Sequence, residues 1–98
     1  MDMNELQKAL EGSLPVLIEF YATWCPHCQR MMPVIAELRD DLDGKAEIFQ
    51  IEGDDHTELM DKFGVKSYPT FIVYKDGKEV WRDSGEMPYN ELKKHIVD

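Results

Sequence analysis

Basic residues are scarce in this chain. Its 98 residues carry 11 Lys and Arg against 20 Asp and Glu, a formal charge of −9 at pH 7. The few cations are scattered, so a phosphate backbone or an anionic membrane surface would meet a repulsive field, and neither nucleic acid nor membrane is expected as a partner. Long apolar runs are missing too. The stretch 14–20 is short and interrupted by Glu19, against the roughly 18 residues a membrane-spanning helix needs. Residues 1–11 are acidic where a secretory signal is basic. Cysteine is limited to Cys25 and Cys28, which cannot form the multi-disulfide framework of a small secreted domain. These absences together point to a cytoplasmic chain. There is no internal repeat, linker or low-complexity segment. What is present, 43% hydrophobic and 32% charged residues, suffices for one core, and the length predicts a single domain over residues 1–98.

The hydrophobic pattern predicts alternating elements. Asn4 is placed to cap a short helix bearing Leu6, Ala9 and Leu10, closed by Gly12 before Pro15. Residues 16–21 form a near-continuous apolar run, as expected of a strand buried on both faces, with Glu19 its one ionisable member. Cys28, Met31, Met32, Ile35, Leu38 and Leu42 then recur at helical spacing up to Gly44, with Pro33 inside the helix predicting a kink. Residues 47–52 read as an edge strand. Asp55 and Glu58 resemble a capping pair for a two-turn helix ending at Gly64. Residues 70–75 and 78–83 flank Asp76-Gly77 as a hairpin with a type I′ turn. From Pro88, apolar Leu92, Ile96 and Val97 predict a final amphipathic helix. This order describes an α/β sheet, with a parallel pair joined by the long helix and a hairpin beside it.

The chemistry is concentrated in Cys25-Pro26-His27-Cys28. The motif lies where a central strand hands over to a helix, so unpaired N–H groups and the helix dipole favour a thiolate. Such a setting brings a first cysteine from about 8.5 to roughly 3.5–7.5. Cys25 is the expected nucleophile, and Cys28, about one turn on, can resolve a mixed disulfide. Pro26 fixes φ where its missing N–H costs little. A zinc or cluster site needs four ligands, yet only His27, His56 and His95 remain as soft donors. No metal is therefore expected, although cluster binding in a dimer stays a weaker alternative.

Phe20-Tyr21-Ala22-Thr23-Trp24-Cys25-Pro26-His27-Cys28, Pro33, Phe63-Gly64-Val65, Ser67-Tyr68-Pro69-Thr70-Phe71 and Lys75-Asp76-Gly77-Lys78, in this order, resemble the thioredoxin family from about residue 16 to the C-terminus. The resemblance implies a thioredoxin fold and thiol–disulfide exchange of the Cys25–Cys28 redox-active pair with a partner's dithiol or disulfide. It implies no cofactor, a monomer, disulfide- or dithiol-containing protein substrates, and recycling by a thioredoxin reductase when the protein works as a reductant. By motif match Pro69 is the family's cis-proline, and Tyr68 presents its backbone to a substrate strand. Trp24 borders the active surface, and Gly85 matches a glycine near the substrate groove while also suiting a simple turn. A module that binds partners around Trp24 and Tyr68 without turnover is the alternative function.

Departures from the family pattern carry their own expectations. Pro26-His27 replaces the usual Gly-Pro and is the dipeptide of bacterial periplasmic dithiol oxidases. An imidazole beside Cys25 would stabilise its thiolate and make the disulfide more oxidising than in ordinary thioredoxins. Glu19 takes the place of a buried Asp under the cysteines, where desolvation should raise its pKa and fit it to move the proton of Cys28. The lysine that often accompanies that Asp is missing, with Ile48 assigned to its position, so Glu19 is expected to lack a counter-ion. The short N-terminus leaves no room for an additional first strand, giving a four-stranded mixed sheet flanked by helices. His56, Asp54 and Asp55 read as capping residues, Trp81 as packing, His95 as solvated, and Asp40, Asp41 and Asp43 as a solvated face.

Overall fold

The computed structural model describes residues 3–98. Along the chain come α1 (Met3–Glu11), β1 (Val16–Tyr21), α2 (Pro26–Asp41), β2 (Glu47–Glu52), a 3-10 turn (Gly53–Asp55), α3 (Thr57–Phe63), β3 (Thr70–Lys75), β4 (Lys78–Ser84) and α4 (Tyr89–Val97). The described residues make a four-stranded sheet of order β2-β1-β3-β4. β1 runs parallel to β2 and antiparallel to β3, and β3 pairs antiparallel with β4. No strand precedes β1 among the described residues, and β2 is an edge, as expected.

Alternation along β1 sorts the core into two layers. Val16, Ile18 and Phe20 pack with Leu6 and Ala9 of α1, Leu59 and Phe63 of α3, and Ile72. Leu17 packs on the opposite face with Met31, Ile35 and Leu38 of α2 and Leu92 and Ile96 of α4. Glu19 shares Leu17's parity and so belongs to the α2 face. A central strand between two helical layers explains why β1 is apolar almost throughout.

Several local expectations need correction. Asn4 lies inside α1, which already includes Met3, and so is not its cap. The cap position of α3 is His56, without a side-chain capping bond, because Gly53–Asp55 form a separate 3-10 turn; Asp55 does not start the helix. Met32 projects from α2 at 49% exposure, and Val97 is also exposed, since the buried stripe of each helix is narrower than its apolar sequence pattern. α2 ends at Asp41, with Gly44 in the following turn. β4 runs one residue past the expected end, to Ser84. His95 is not a free solvated ring: it stacks on Trp81, centroids 4.0 Å apart and planes within 7°. Asp41 accepts a hydrogen bond from Tyr89 Oη rather than merely facing water. The hairpin turn holds Asp76 and Gly77 both at positive φ, as a type I′ turn demands. No helix among the described residues is long and apolar enough to cross a membrane.

Candidate active site

β1 delivers the chain to the site, and α2 starts there. Cys25 is the N-cap of α2 in extended conformation, followed by Pro26 at the first helical position, where its absent N–H is harmless. The Cys28 N–H donates to Cys25 Sγ at 3.3 Å, so the sulfur takes the role usually filled by a capping oxygen. Both cysteines are free thiols and buried, packing with Ala22, Tyr21 and Tyr68. Across the site the Tyr68–Pro69 peptide bond is cis. The Tyr68 carbonyl oxygen lies 4.0 Å from Cys25 Sγ and can accept its thiol proton. Gly85, at φ +95°, donates its N–H to the Pro69 carbonyl at 2.9 Å. That left-handed backbone is one that a residue with a Cβ adopts at a cost, so Gly85 ties the segment after β4 to the cis-proline.

Below the motif, Cys28 meets an environment opposed to its ionisation. Burial, then the hydrogen bond with Cys25, push its thiol up to about 12, with the charge of Glu19 adding to the effect. Glu19 is 1% exposed. Desolvation raises its pKa from 4.5 to about 6, opposed by a hydrogen bond from Gln50 and by the charge of Arg39. Gln50 Nε2 donates to Glu19 Oε1 at 2.9 Å, and Arg39 Nη2 donates to Gln50 Oε1 at 3.0 Å. The register explains this: Gln50, not Ile48, stands opposite Glu19, whereas Ile48 faces Leu17. The expectation that Glu19 is unaccompanied is therefore overturned, since a neutral amide and, behind it, a guanidinium take the place assigned to the missing lysine.

His27 also departs from expectation. Its Nδ1 lies 2.6 Å from Glu86 Oε2 and 2.9 Å from Arg30 Nη2, so its contacts are to these two side chains rather than to the Cys25 sulfur. Arg30 Nε in turn donates to Glu86 Oε2 at 2.9 Å. Hydrogen bonds from Arg30 and then His27 hold the exposed Glu86 carboxyl down at about 2.

On the other rim Trp24, 65% exposed, donates its indole N–H to Asp54 Oδ2 at 2.7 Å. Tyr68 Oη donates to Asp54 Oδ1 at 2.9 Å. The two rings meet edge to face with centroids 5.9 Å apart. Asp54, which the sequence pattern presents only as a helix cap, bridges the two aromatic residues instead. A Cβ on Gly53 would run into Tyr68 Oη, so a larger residue there displaces the Tyr68 ring. Burial first, then Asp54, push the Tyr68 hydroxyl up to about 12. The structure thus brings Cys25, Pro26, Cys28, Trp24, Tyr68, Pro69 and Gly85 to one surface, with Glu19 beneath it. Sequence reasoning missed Asp54, Gln50, Arg30 and Glu86, whose roles depend on pairings remote in sequence. Among the described residues no group of three or more His, Cys, Asp or Glu is placed to hold a metal ion.

Comparison with known proteins agrees with this geometry. A family model described as Thioredoxin matches residues 2–98. A thioredoxin of Chlorobaculum thiosulfatiphilum is 36% identical over 97% of this chain and 88% of its own. Thioredoxin 1 of Synechococcus elongatus is 32% identical over 97% of this chain and 92% of its own. The chloroplastic thioredoxin Y of Oryza sativa is 38% identical over 84% of this chain, but the match covers 49% of the rice protein, about half its length. Among solved structures, a mutant thioredoxin from Halobacterium salinarum superposes with a TM-score of 0.87 at 30% identity, covering 98% of this chain and 83% of that one. The family match, the relatives and the four-stranded sheet with its cysteine pair at the start of α2 agree, and the chain belongs to the thioredoxin family, the protein-disulfide oxidoreductases.

Proposed function

We propose that this protein reduces disulfides in protein substrates by thiol–disulfide exchange through Cys25 and Cys28. One observation carries the reading: Cys25 Sγ sits between the Cys28 N–H at 3.3 Å and the Tyr68 carbonyl at 4.0 Å, at the N-terminus of a 16-residue helix. That arrangement supports a thiolate and leaves a backbone carbonyl beside it for an extended substrate segment.

Cys25 thiolate attacks one sulfur of the substrate disulfide. A new S–S bond forms, the old one breaks, and the departing sulfur leaves as a thiolate that takes a proton from solvent. Cys28 then gives its proton to the Glu19 carboxylate and attacks Cys25 Sγ, releasing the second substrate thiolate. Two electrons pass to the substrate, and the Cys25–Cys28 disulfide remains for a reductase to recycle. Glu19, ionised above about pH 6, is the base of the second step. Tyr68, Pro69 and Gly85 hold the substrate backbone, and Trp24 covers its flank. The protein acts as a monomer in the cytoplasm, a compartment whose reducing poise keeps such a dithiol supplied with electrons.

Arg30, hydrogen-bonded to His27, supplies positive charge near the site, which supports a potential above the roughly −270 mV of ordinary thioredoxins; the contacts of both with Glu86 limit the increase. Equilibration with glutathione buffers, followed by Trp24 fluorescence and paired with insulin reduction, tests the reading. Turnover with a potential above that value is expected. If insulin is not reduced while a partner still binds the Cys25→Ser variant, the protein is a binding module instead.

A further inference from the structure

Glu86 lies outside the cysteine motif and outside the cis-proline loop, yet it connects the two. Gly85, its neighbour, is bonded to the Pro69 carbonyl at 2.9 Å. The Glu86 carboxylate reaches across to the first turns of α2, where Oε2 meets His27 Nδ1 at 2.6 Å, Arg30 Nη2 at 2.8 Å and Arg30 Nε at 2.9 Å. The three side chains are polar, partly exposed and mutually bonded, with no packing role for the core. His27 Nδ1 faces both Glu86 and Arg30. With a proton it donates to Glu86; without one it accepts from Arg30. Glu86 keeps its two Arg30 contacts in either state, so its hold on α2 does not depend on the imidazole.

We propose, building on the exchange function above, that Glu86 is a positioning residue for the dithiol: it fixes His27 and Arg30 beside the Cys25 turn and offsets their charge, so that the reactivity of Cys25 is set by a three-residue cluster rather than by His27 alone. Arg30 stands on α2, the helix that Cys25 caps, and its guanidinium is held there by two contacts with Glu86 Oε2. A cation on the first turns of that helix lowers the electrostatic cost of negative charge at its cap. The opposing groups near Cys25 are Glu86 on the rim and Glu19 with Cys28 below. Removing the Glu86 charge leaves Arg30 uncompensated and favours the thiolate; removing Arg30 leaves Glu86 uncompensated and disfavours it.

The test compares Glu86→Gln, Arg30→Gln and the double variant by two readouts: the midpoint pH of Cys25 alkylation by iodoacetamide, and the equilibrium constant with glutathione. The glutathione measurement is made at one fixed pH and ionic strength for all variants. Glu86→Gln is expected to lower the alkylation midpoint and make the disulfide more oxidising by about two- to fivefold, the range of an exposed charge interaction. Arg30→Gln is expected to move both readouts the opposite way. In the Arg30→Gln background the Glu86→Gln effect should change size, because the two groups are in contact. Raising ionic strength should shrink each shift. Unchanged midpoints, or shifts of the same sign in both single variants as from a loosened loop, would overturn the proposal. Neither outcome bears on the exchange function, which stands or falls on insulin reduction by the unaltered protein.

Discussion

Cys25 and Cys28 are three residues apart and occupy opposite chemical settings. Cys25 caps α2, where a helix N-terminus and the Cys28 N–H are partners of the kind an anion takes. Cys28 faces inward, where burial and the neighbouring Glu19 oppose one and its thiol is pushed up to about 12. The separation arises from one helical turn: the first position caps the helix, and the second already points into the layer between α2 and β1. The difference in setting between the two thiols therefore follows from their position on α2 and needs no difference in residue type.

The largest test of this contrast exchanges each sulfur for oxygen. Cys25→Ser should abolish insulin reduction. Cys28→Ser should still attack but stall as a mixed disulfide, visible as an added mass under non-reducing conditions; free turnover by Cys28→Ser would erase the distinction. Next in size is Glu19→Gln. Because Glu19's folded pKa is raised from 4.5 to about 6, its contribution to stability is present below pH 4.5 and is lost as pH rises through 6. A shift of that size amounts to about 2 kcal/mol. The Glu19→Gln variant should therefore exceed the parent in stability by that margin at pH 8, with the gap closing at pH 4, while its rate of mixed-disulfide resolution loses the inflection near pH 6. Urea titrations at the two pH values check the first part, and stopped-flow Trp24 fluorescence checks the second.

Two smaller changes probe the rim. Gly53→Ala forces the Tyr68 ring away from its place beside Asp54, and should lower stability by about 1–2 kcal/mol while altering Trp24 emission. Restored stability in Gly53→Ala/Tyr68→Val would attribute the loss to that contact. His27→Gly should move the redox equilibrium by less than about tenfold, equivalent to roughly 30 mV for two electrons. A larger shift would mean that the imidazole acts on Cys25 more strongly than its contacts with Glu86 and Arg30 imply.

The elements were readable wherever a local pattern governs them. The bounds of β1, β2 and β3 fall where the sequence places them, because apolar alternation, charged ends and the Asp76-Gly77 turn each act within a few residues. The cysteine motif is legible for the same reason, being short and contiguous, whereas the role of the Tyr68-Pro69 pair comes from the resemblance to the thioredoxin family. Contacts set by registry were not. Reading Ile48 as the residue accompanying Glu19 misses by two positions, which keeps the parity of the strand but shifts to the next pair along it; only the β1–β2 register brings Gln50 forward. Glu86 pairs with side chains 56 and 59 positions away, and Asp54 with Trp24 at a separation of 30. Met32 and His95 failed for a subtler reason: hydrophobic spacing gives the direction of a helix face but not the width of the surface it meets.

Arg39 has a second use beyond steadying Gln50. Its Nη1 donates to the Ile48 carbonyl at 2.9 Å, capping a main-chain acceptor on β2, which is an edge of the sheet. The opposite edge, β4, carries Lys78, Glu79, Arg82 and Asp83. An unguarded sheet edge is open to pairing with any extended segment that meets it. By obstructing one edge with a guanidinium and the other with charges of both signs, the fold discourages the addition of a further strand on either side of the sheet.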